Sequence, residues 1–484
     1  MGRVNARFAR IVVLVSGAAI LVVETLATRL VAPYVGLTLE STTAVIGVAL
    51  AGIAVGAALG GRWADTLPPR RVAAGALAVG GLGVLAVRPL VRLLGPVLGP
   101  GPVAAILLVA ASTLVSVTAL AMVTPAITRA RLTGLDGSGS VIGDLSAAGT
   151  VGSLAGTFLT GFVLVAFLPV TAILLVTAAA CLALALAVSV EARRAVPKVG
   201  GAALVLAVAL VAVPGRCDTD TVYYCARVEP DPQRTSAQVL VLDDLRHSYV
   251  DLADPTHLEF AYIQRFAAAV DAAFPAGRPL RAVHVGGGGF TMPRWLAATR
   301  PGSASTVLEV DAGVVDLGRR ELGVDAIPDL DVRLGDARTT LATLPTASAD
   351  LVVGDAFGAR SVPWHLATTE FVDEVRRVLR PGGLYVLNVI DRDPLALLSA
   401  VTATVGERFV HATLVIRPDQ LEPGGGGNAV LAASDTPPDL AALRAAAAAR
   451  GEPGSVLDEA ATRAFGRGAP VLTDDRAPVD QLQT

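Results

Sequence analysis

Between residues 11 and 213 one apolar stretch follows another, at about 11–31, 41–60, 72–93, 103–125, 141–167, 170–189 and 199–213, and most reach the ~20 residues a helix needs to cross a bilayer. In hydrocarbon the backbone must satisfy its own hydrogen bonds, which leaves helices as the solution for such segments. Their Gly and Ala content fits helices that approach closely, since small residues let backbones meet in lipid. The first stretch holds Glu24 and Arg29 and is followed by many others, so it reads as a span and not as a cleaved leader. Residues 1–213 are therefore expected to form a transmembrane domain of about seven helices in the cell membrane. The net charge of −3 averages this half with a soluble one and says little about partners; no nucleic-acid partner is expected.

The cations predict an orientation. Arg3, Arg7 and Arg10 precede the first stretch; Arg62, Arg70 and Arg71 follow the second; Arg129 and Arg131 follow the fourth; Arg193, Arg194 and Lys198 follow the sixth. By the positive-inside rule these segments are cytoplasmic. If 199–213 also spans, the remainder emerges outside, where Cys217 and Cys225 are free to form a disulfide. That stretch is short for a span, and an outward domain lacks an obvious supply of a cytosolic nucleotide; the reading leans extracytoplasmic with the cytoplasmic side kept open. Glu24 and Arg29 lie roughly 140° apart at ~100° per residue, so they are not expected to pair on one face. Glu24 either contacts a substrate or makes an interhelical hydrogen bond. Asp144 is expected at the interface.

The rest of the chain changes character. RAVHVGGGGF (281–290) is an apolar strand running into four glycines; TVLEVDAGVV (306–315) is a second strand ending in Glu309 and Asp311; LGDAR (334–338) and DLVVGDAF (350–357) follow. A glycine loop lets backbone approach a ligand, the next helix offers free N–H groups, and a strand-end carboxylate can take ribose hydroxyls. Strand and helix signals alternate from 281: a helix near 291–299, TVLEV, a helix near 312–321, DVRLGD, DLVVGDA, a helix over 368–379, the turn RPGG and the strand LYVLNVI (384–390). This predicts a Rossmann-like α/β domain, its parallel sheet covered on both faces, with Gly286, Gly287, Gly288, Glu309, Asp336 and Asp355 at the carboxyl ends of the strands. Before it, 214–236 reads as a linker, 237–255 as a small strand-turn-strand β-lobe, and 256–274 as an amphipathic helix opening a domain that runs to 435. Residues 436–484 form a C-terminal extension.

The order LDDLRHSYVD, HLEFAYIQ, VGGGG, LEVD, GDAR, DAF and RPGGLYVLNV resembles spermidine synthase, an aminopropyltransferase, over roughly 237–435. The whole chain looks like bacterial fusions of a transporter-like membrane half with a spermidine synthase-like domain. GRWADTLPPRR (61–71) is in turn similar to the loop joining the second and third helices of major facilitator transporters, although a plain positive-inside turn explains it equally. The resemblance implies a decarboxylated S-adenosylmethionine or related S-adenosyl nucleoside donor, no metal, and a small-molecule amine or related acceptor. It implies that Glu309 holds the ribose hydroxyls, that Asp336 with Ala337 faces the adenine, that Asp355 orients or deprotonates the attacking amine, and that Tyr262 lines the amine channel. An amine must lose its charge before attacking a carbon beside a sulfonium, and a buried carboxylate can accept its proton.

Two carboxylates of that pattern are absent: Gly289 stands where the donor's ammonium would be bound, and Gly358 where a second acceptor carboxylate would lie. Restoring both as aspartate is expected to raise amine affinity. Three functions stay open: an aminopropyltransferase-like enzyme with a modified or degenerate polyamine site, a transport or sensing protein whose soluble domain only binds ligand, and an S-adenosylmethionine-dependent methyltransferase. A homodimer is compatible with all three. His247, His257 and His365 lack tight metal spacing and are expected to cap or to bond within the core. Trp295 and Trp364 are read as packing residues before base-stacking ones, and Cys181 as a small packing residue. The segment LTDDRAPVDQL (472–482) either folds back over the cleft or is a surface tail.

Overall fold

Small residues set how closely the N-terminal helices approach. Helix α1 (Ala6–Val35) lies so near α6 (Ser138–Leu159) that a Cβ on Gly152 or Gly156 would collide with the backbone of Leu14 or Ala18. Likewise, Gly56 and Gly60 of α2 (Leu39–Thr66) admit Thr118 and Met122, at the junction of α4 (Pro102–Ala121) with α5 (Val123–Arg131). With α3 (Pro69–Leu98) and α7 (Val170–Glu191), these make, among the described residues, six helical segments long and apolar enough to cross a membrane, α4 and α5 forming one of them. They match the first six predicted stretches; the seventh, 199–213, lies outside the described residues. This computed structural model describes residues 5–35, 39–98, 101–132, 134, 137–165, 168–191, 217–221, 223–243, 245–357 and 362–483, in two units, Met1–Arg216 and Cys217–Thr484. Two ion pairs tie helix ends of the first unit: Arg10 Nε to Asp144 Oδ2 at 2.7 Å, and Arg129 Nε to Asp65 Oδ1 at 3.1 Å. Asp65 belongs to the 61–71 segment, so this acidic residue does latch two helix ends. Cys181 is fully buried among apolar neighbours, as its packing role requires.

The second unit opens differently from the expected linker. Within 214–236, β1 (Thr219–Asp220) and β2 (Cys225–Pro230) form a hairpin in which a disulfide joins Cys217, before β1, to Cys225 at the start of β2, and β2 pairs antiparallel with β3 (Ala237–Leu242), which pairs with β4 (Leu245–Asp251). A four-stranded lobe therefore replaces the two-stranded one. The paired cysteines close a short loop, and Asp243 at the β3–β4 turn, with positive φ, accepts the Cys225 amide at 3.0 Å. Helix α8 (Ala261–Ala273) starts five residues later than the 256 expected: the chain turns at Asp254, whose carbonyl accepts the His257 amide, and stays extended at Phe260, the N-cap.

The main sheet runs β10-β11-β9-β8-β5-β6-β7, built from β5 (Arg281–Val285), β6 (Ala304–Glu309), β7 (Leu330–Leu334), β8 (Ala349–Gly354), β9 (Leu379–Arg392), β10 (His411–Val415) and β11 (Gly426–Ser434). Its first five strands are parallel as expected, but β11 and β10 are antiparallel additions, so the sheet is mixed. Alternate residues of β8 serve opposite faces. Val352 packs with α12 (Thr369–Val378) and α13 (Ala396–Gly406), while Leu351 and Val353 pack with α8, α9 (Thr291–Thr299) and α14 (Leu440–Ala449). The chain turns from β5 to β6 on one side and reaches β8 on the other, so the crevice above β5 is a topological switch point.

Candidate nucleoside and acceptor site

Three strand ends and one loop converge at that crevice. The glycine loop is forced by close approach: Gly286 and Gly288 have positive φ, and a Cβ on Gly286 would strike the Asp355 carbonyl. Glu309, at the end of β6, turns its carboxylate into the loop; Oε2 accepts the Gly287 amide at 2.8 Å and Oε1 the Asp311 amide at 2.9 Å. Burial raises the Glu309 pKa, with these amides opposing the rise. Asp311 caps α10 (Ala312–Glu321), accepting from the Gly313 amide at 2.9 Å.

Asp336 follows β7 and caps α11 (Ala337–Ala342), of which Ala337 is the first residue; Oδ1 accepts the Arg338 amide at 2.7 Å and Oδ2 lies 2.9 Å from His365 Nε2. His365 thus takes a bonding role, as does His257, whose Nε2 lies 3.2 Å from Glu259, whereas His247 packs 6.1 Å from the Tyr224 ring, its pKa lowered by burial to about 4. Trp295 is in the core at 3% exposure, whereas Trp364, beside His365, is 50% exposed. The tail folds back toward this side: Asp474 accepts from Arg338 at 2.6 Å and from the Thr368 hydroxyl at 2.7 Å, and Leu472 is fully buried.

On the opposite side of the glycine loop, Asp355 follows β8. Tyr262 Oη donates to its Oδ2 at 3.1 Å and Asn388 Nδ2 to its Oδ1 at 3.0 Å. Burial outweighs both bonds and pushes the carboxyl up to about 6. Asn388 went unnoticed in the sequence, although an amide inside the apolar strand LYVLNVI is a signal. Its Oδ1 accepts from Asn428 Nδ2 at 3.1 Å, and the Asn428 carbonyl accepts from Arg265, itself paired with buried Glu452 at 3.0 Å. This chain of bonds fixes one face of Asp355 and leaves the Tyr262 side toward a small cleft lined by Ser248, Glu259, Phe260, Tyr262, Ile263 and Thr291. Glu259 is the carboxylate of that lining.

Gly289 is not a bare vacancy for an aspartate. Its amide donates to Ser248 Oγ at 2.8 Å, and a Cβ there would sit 2.6 Å from Ser248 Cβ and 3.1 Å from Val250 Cγ2. An aspartate at Gly289 would press on β4, which occupies that space; the expected gain in amine affinity concerns Gly289 and Gly358 together. Gly358 lies outside the described residues.

The family described as "Methyltransferase domain" matches residues 283–387. A polyamine aminopropyltransferase of Vibrio vulnificus (strain CMCP6) is 31% identical over 120 residues, which are 24% of this chain and 40% of that protein's length. A probable spermidine synthase from Corynebacterium glutamicum ATCC 13032 superposes with a TM-score of 0.50 at 30% identity, over 54% of this chain and 97% of that one. A spermidine synthase in complex with the transition-state analogue AdoDATO matches 55% of this chain and 83% of that one, at 16% identity and a TM-score of 0.37.

Proposed function

Since the C-terminal unit belongs to the spermidine synthase-like proteins, we propose that the whole chain is a membrane-anchored aminopropyltransferase-like enzyme that takes an S-adenosyl-type donor and an altered acceptor. The observation that carries the reading is Asp355, a carboxyl raised to about 6 and held by Tyr262 and Asn388 between the glycine loop and the acceptor pocket. A group with that pKa is ionised at neutral pH yet basic enough to take a proton. In the reaction the acceptor nitrogen forms a bond to the carbon beside the donor's sulfonium. The carbon–sulfur bond breaks, its electron pair leaves on a neutral thioether, and the ammonium proton passes to Asp355 Oδ2. Glu309 and Asp336 hold the nucleoside, Ala337 opens the helix at the adenine end, and Gly286, Gly287 and Gly288 give it room. With Gly358 standing where a second acceptor carboxylate would lie, the cleft at Glu259 and Phe260 suits an acceptor carrying less charge than a diamine. Release of methylthioadenosine by the purified full-length chain, given decarboxylated S-adenosylmethionine and a panel of mono- and diamines, tests this; no release with any amine would defeat it.

The match of residues 283–387 to the methyltransferase family supports a second reading, methyl transfer on the same sheet. Production of S-adenosylhomocysteine from S-adenosylmethionine would select it.

Glu309 supplies a sharper test of the donor site. Glu309→Gln is expected to weaken methylthioadenosine binding by about 1.5–3 kcal/mol, the worth of charge-assisted bonds to ribose. Calorimetric titration that finds affinity unchanged would remove Glu309 from the site.

We further propose that this unit lies outside the cytoplasm, in keeping with the arginine distribution and with a disulfide that persists only under oxidising conditions. In intact cells a membrane-impermeant thiol reagent should label Cys217 and Cys225 after reduction and not before. Labelling that requires broken membranes would place the unit in the cytoplasm.

A further inference from the structure

The β1–β2 hairpin, unabsorbed by the catalytic reading, is pinned on both sides of the crevice. On one side, the Thr221 hydroxyl bonds Asp311 Oδ2 at the end of β6, and the Thr221 methyl sits where a Cβ on Gly313 would be 2.7 Å away. On the other, Tyr224 Oη donates to the Phe357 carbonyl at 2.8 Å, two residues beyond Asp355. Thr221 Oγ1 also accepts the amides of Tyr223 at 3.1 Å and Tyr224 at 2.8 Å, which fixes the tip. The Cys217–Cys225 disulfide ties the residues leading into β1 to the first residue of β2, and Arg320 donates to the Thr219 hydroxyl at 3.0 Å. Between the two pins stands Tyr223, a residue 38% exposed.

We propose that this disulfide-closed hairpin is a fixed roof over the nucleoside site, and that Tyr223 is a ligand-contacting residue whose ring covers the bound nucleoside. The inference rests on the donor site proposed above. The pins at Asp311 and Phe357 set the ring beside the crevice, and partial burial, with the charges of Asp311, Asp336 and Glu309 after it, keeps the Tyr223 phenol above its ordinary range and so a hydroxyl donor. An aromatic ring over a nucleoside adds apolar contact and excludes water, strengthening every charged contact beneath it. Opening the disulfide takes two electrons and two protons from an added dithiol and yields two thiols; the tip then keeps its hydrogen bonds and the packing of Tyr224 but loses its covalent tie.

The test is methylthioadenosine titration of the full chain in nanodiscs. Tyr223→Ala should weaken binding by about tenfold or more, and Tyr223→Phe by less, since the ring remains. Dithiol treatment of the wild-type chain should likewise weaken binding by about tenfold, whereas the Cys217→Ser/Cys225→Ser chain should bind weakly from the start and ignore the dithiol. Hydrogen exchange without ligand guards against misfolding: reduction should deprotect amides at 221–225 and 311–313 while the sheet strands stay protected. Binding that is indifferent to Tyr223→Ala and to reduction overturns the roof and leaves the donor site standing. Failure of the oxidised wild-type chain to bind methylthioadenosine overturns the donor site itself, and Tyr223 as its contact with it.

Discussion

Asparagine in place of Asp355 is expected to abolish transfer, by about 10²–10⁴-fold in kcat, the usual worth of a positioned general base, and at the same time to make the fold more stable at neutral pH. The second effect follows from the sign of the shift. The Asp355 carboxyl rises from 3.8 to about 6 in the folded chain, so the native state holds the proton more tightly than the unfolded one. Its contribution to stability is greatest below the unfolded value and is lost as pH rises through about 6. At pH 7.5 the wild type therefore carries a buried charge that Asp355→Asn lacks, while Tyr262 and Asn388 keep a partner. Discounted for the partial exposure of Asp355, the variant should gain about 1–2 kcal/mol in thermal or denaturant unfolding at pH 7.5, a gain that vanishes below pH 4. Wild-type transfer should rise with pH through about 6 and then level. A variant that is inactive and less stable at pH 7.5 would show Asp355 to be a structural residue.

The second large effect concerns the acceptor. Spermidine formation from putrescine by the unmodified chain should be weak or absent, because each missing close carboxylate in a partly buried cleft is worth on the order of 1–3 kcal/mol. Gly289→Asp alone should not rescue it. The new Cβ would press on Ser248 Cβ at 2.6 Å, and the variant should lose stability by about 1–3 kcal/mol, in the range of overpacked sites. Ser248→Gly combined with Gly289→Asp removes the 2.6 Å contact and should recover folding and raise affinity for the ammonium of the aminopropyl donor. Robust spermidine synthesis by the wild type would mean that other carboxylates, Glu259 first, complete the diamine site.

What could be read in advance follows from how local each signal is. The glycine loop, Glu309, Asp336 and Asp355 each stand at the end of an apolar run, so their convergence follows from parallel strands alone, and the structure brings all four to one crevice. Asn388 needed knowledge of which strand lies beside β8, since it meets Asp355 only across the sheet. The β1–β2 hairpin was hidden because its strands are short and interrupted by charged and proline residues; its order comes from a disulfide and from Thr221 on Asp311, both invisible to periodicity. The antiparallel edge was missed for a related reason. Strand β11 opens with glycines at 426 and 427, which read as loop, although both have positive φ and pair with Asp391 and Arg392. The glycine at 289 could be identified, but not that Ser248 had filled the space.

The most direct test of the central claim is a calorimetric titration of the full-length chain with methylthioadenosine, decarboxylated S-adenosylmethionine and S-adenosylmethionine. The account predicts that the first two bind to the oxidised wild-type chain, that both lose about tenfold or more in Glu309→Gln, and that S-adenosylmethionine binds no tighter than its decarboxylated form. Absence of binding by all three, or tight binding of S-adenosylmethionine alone, would contradict it.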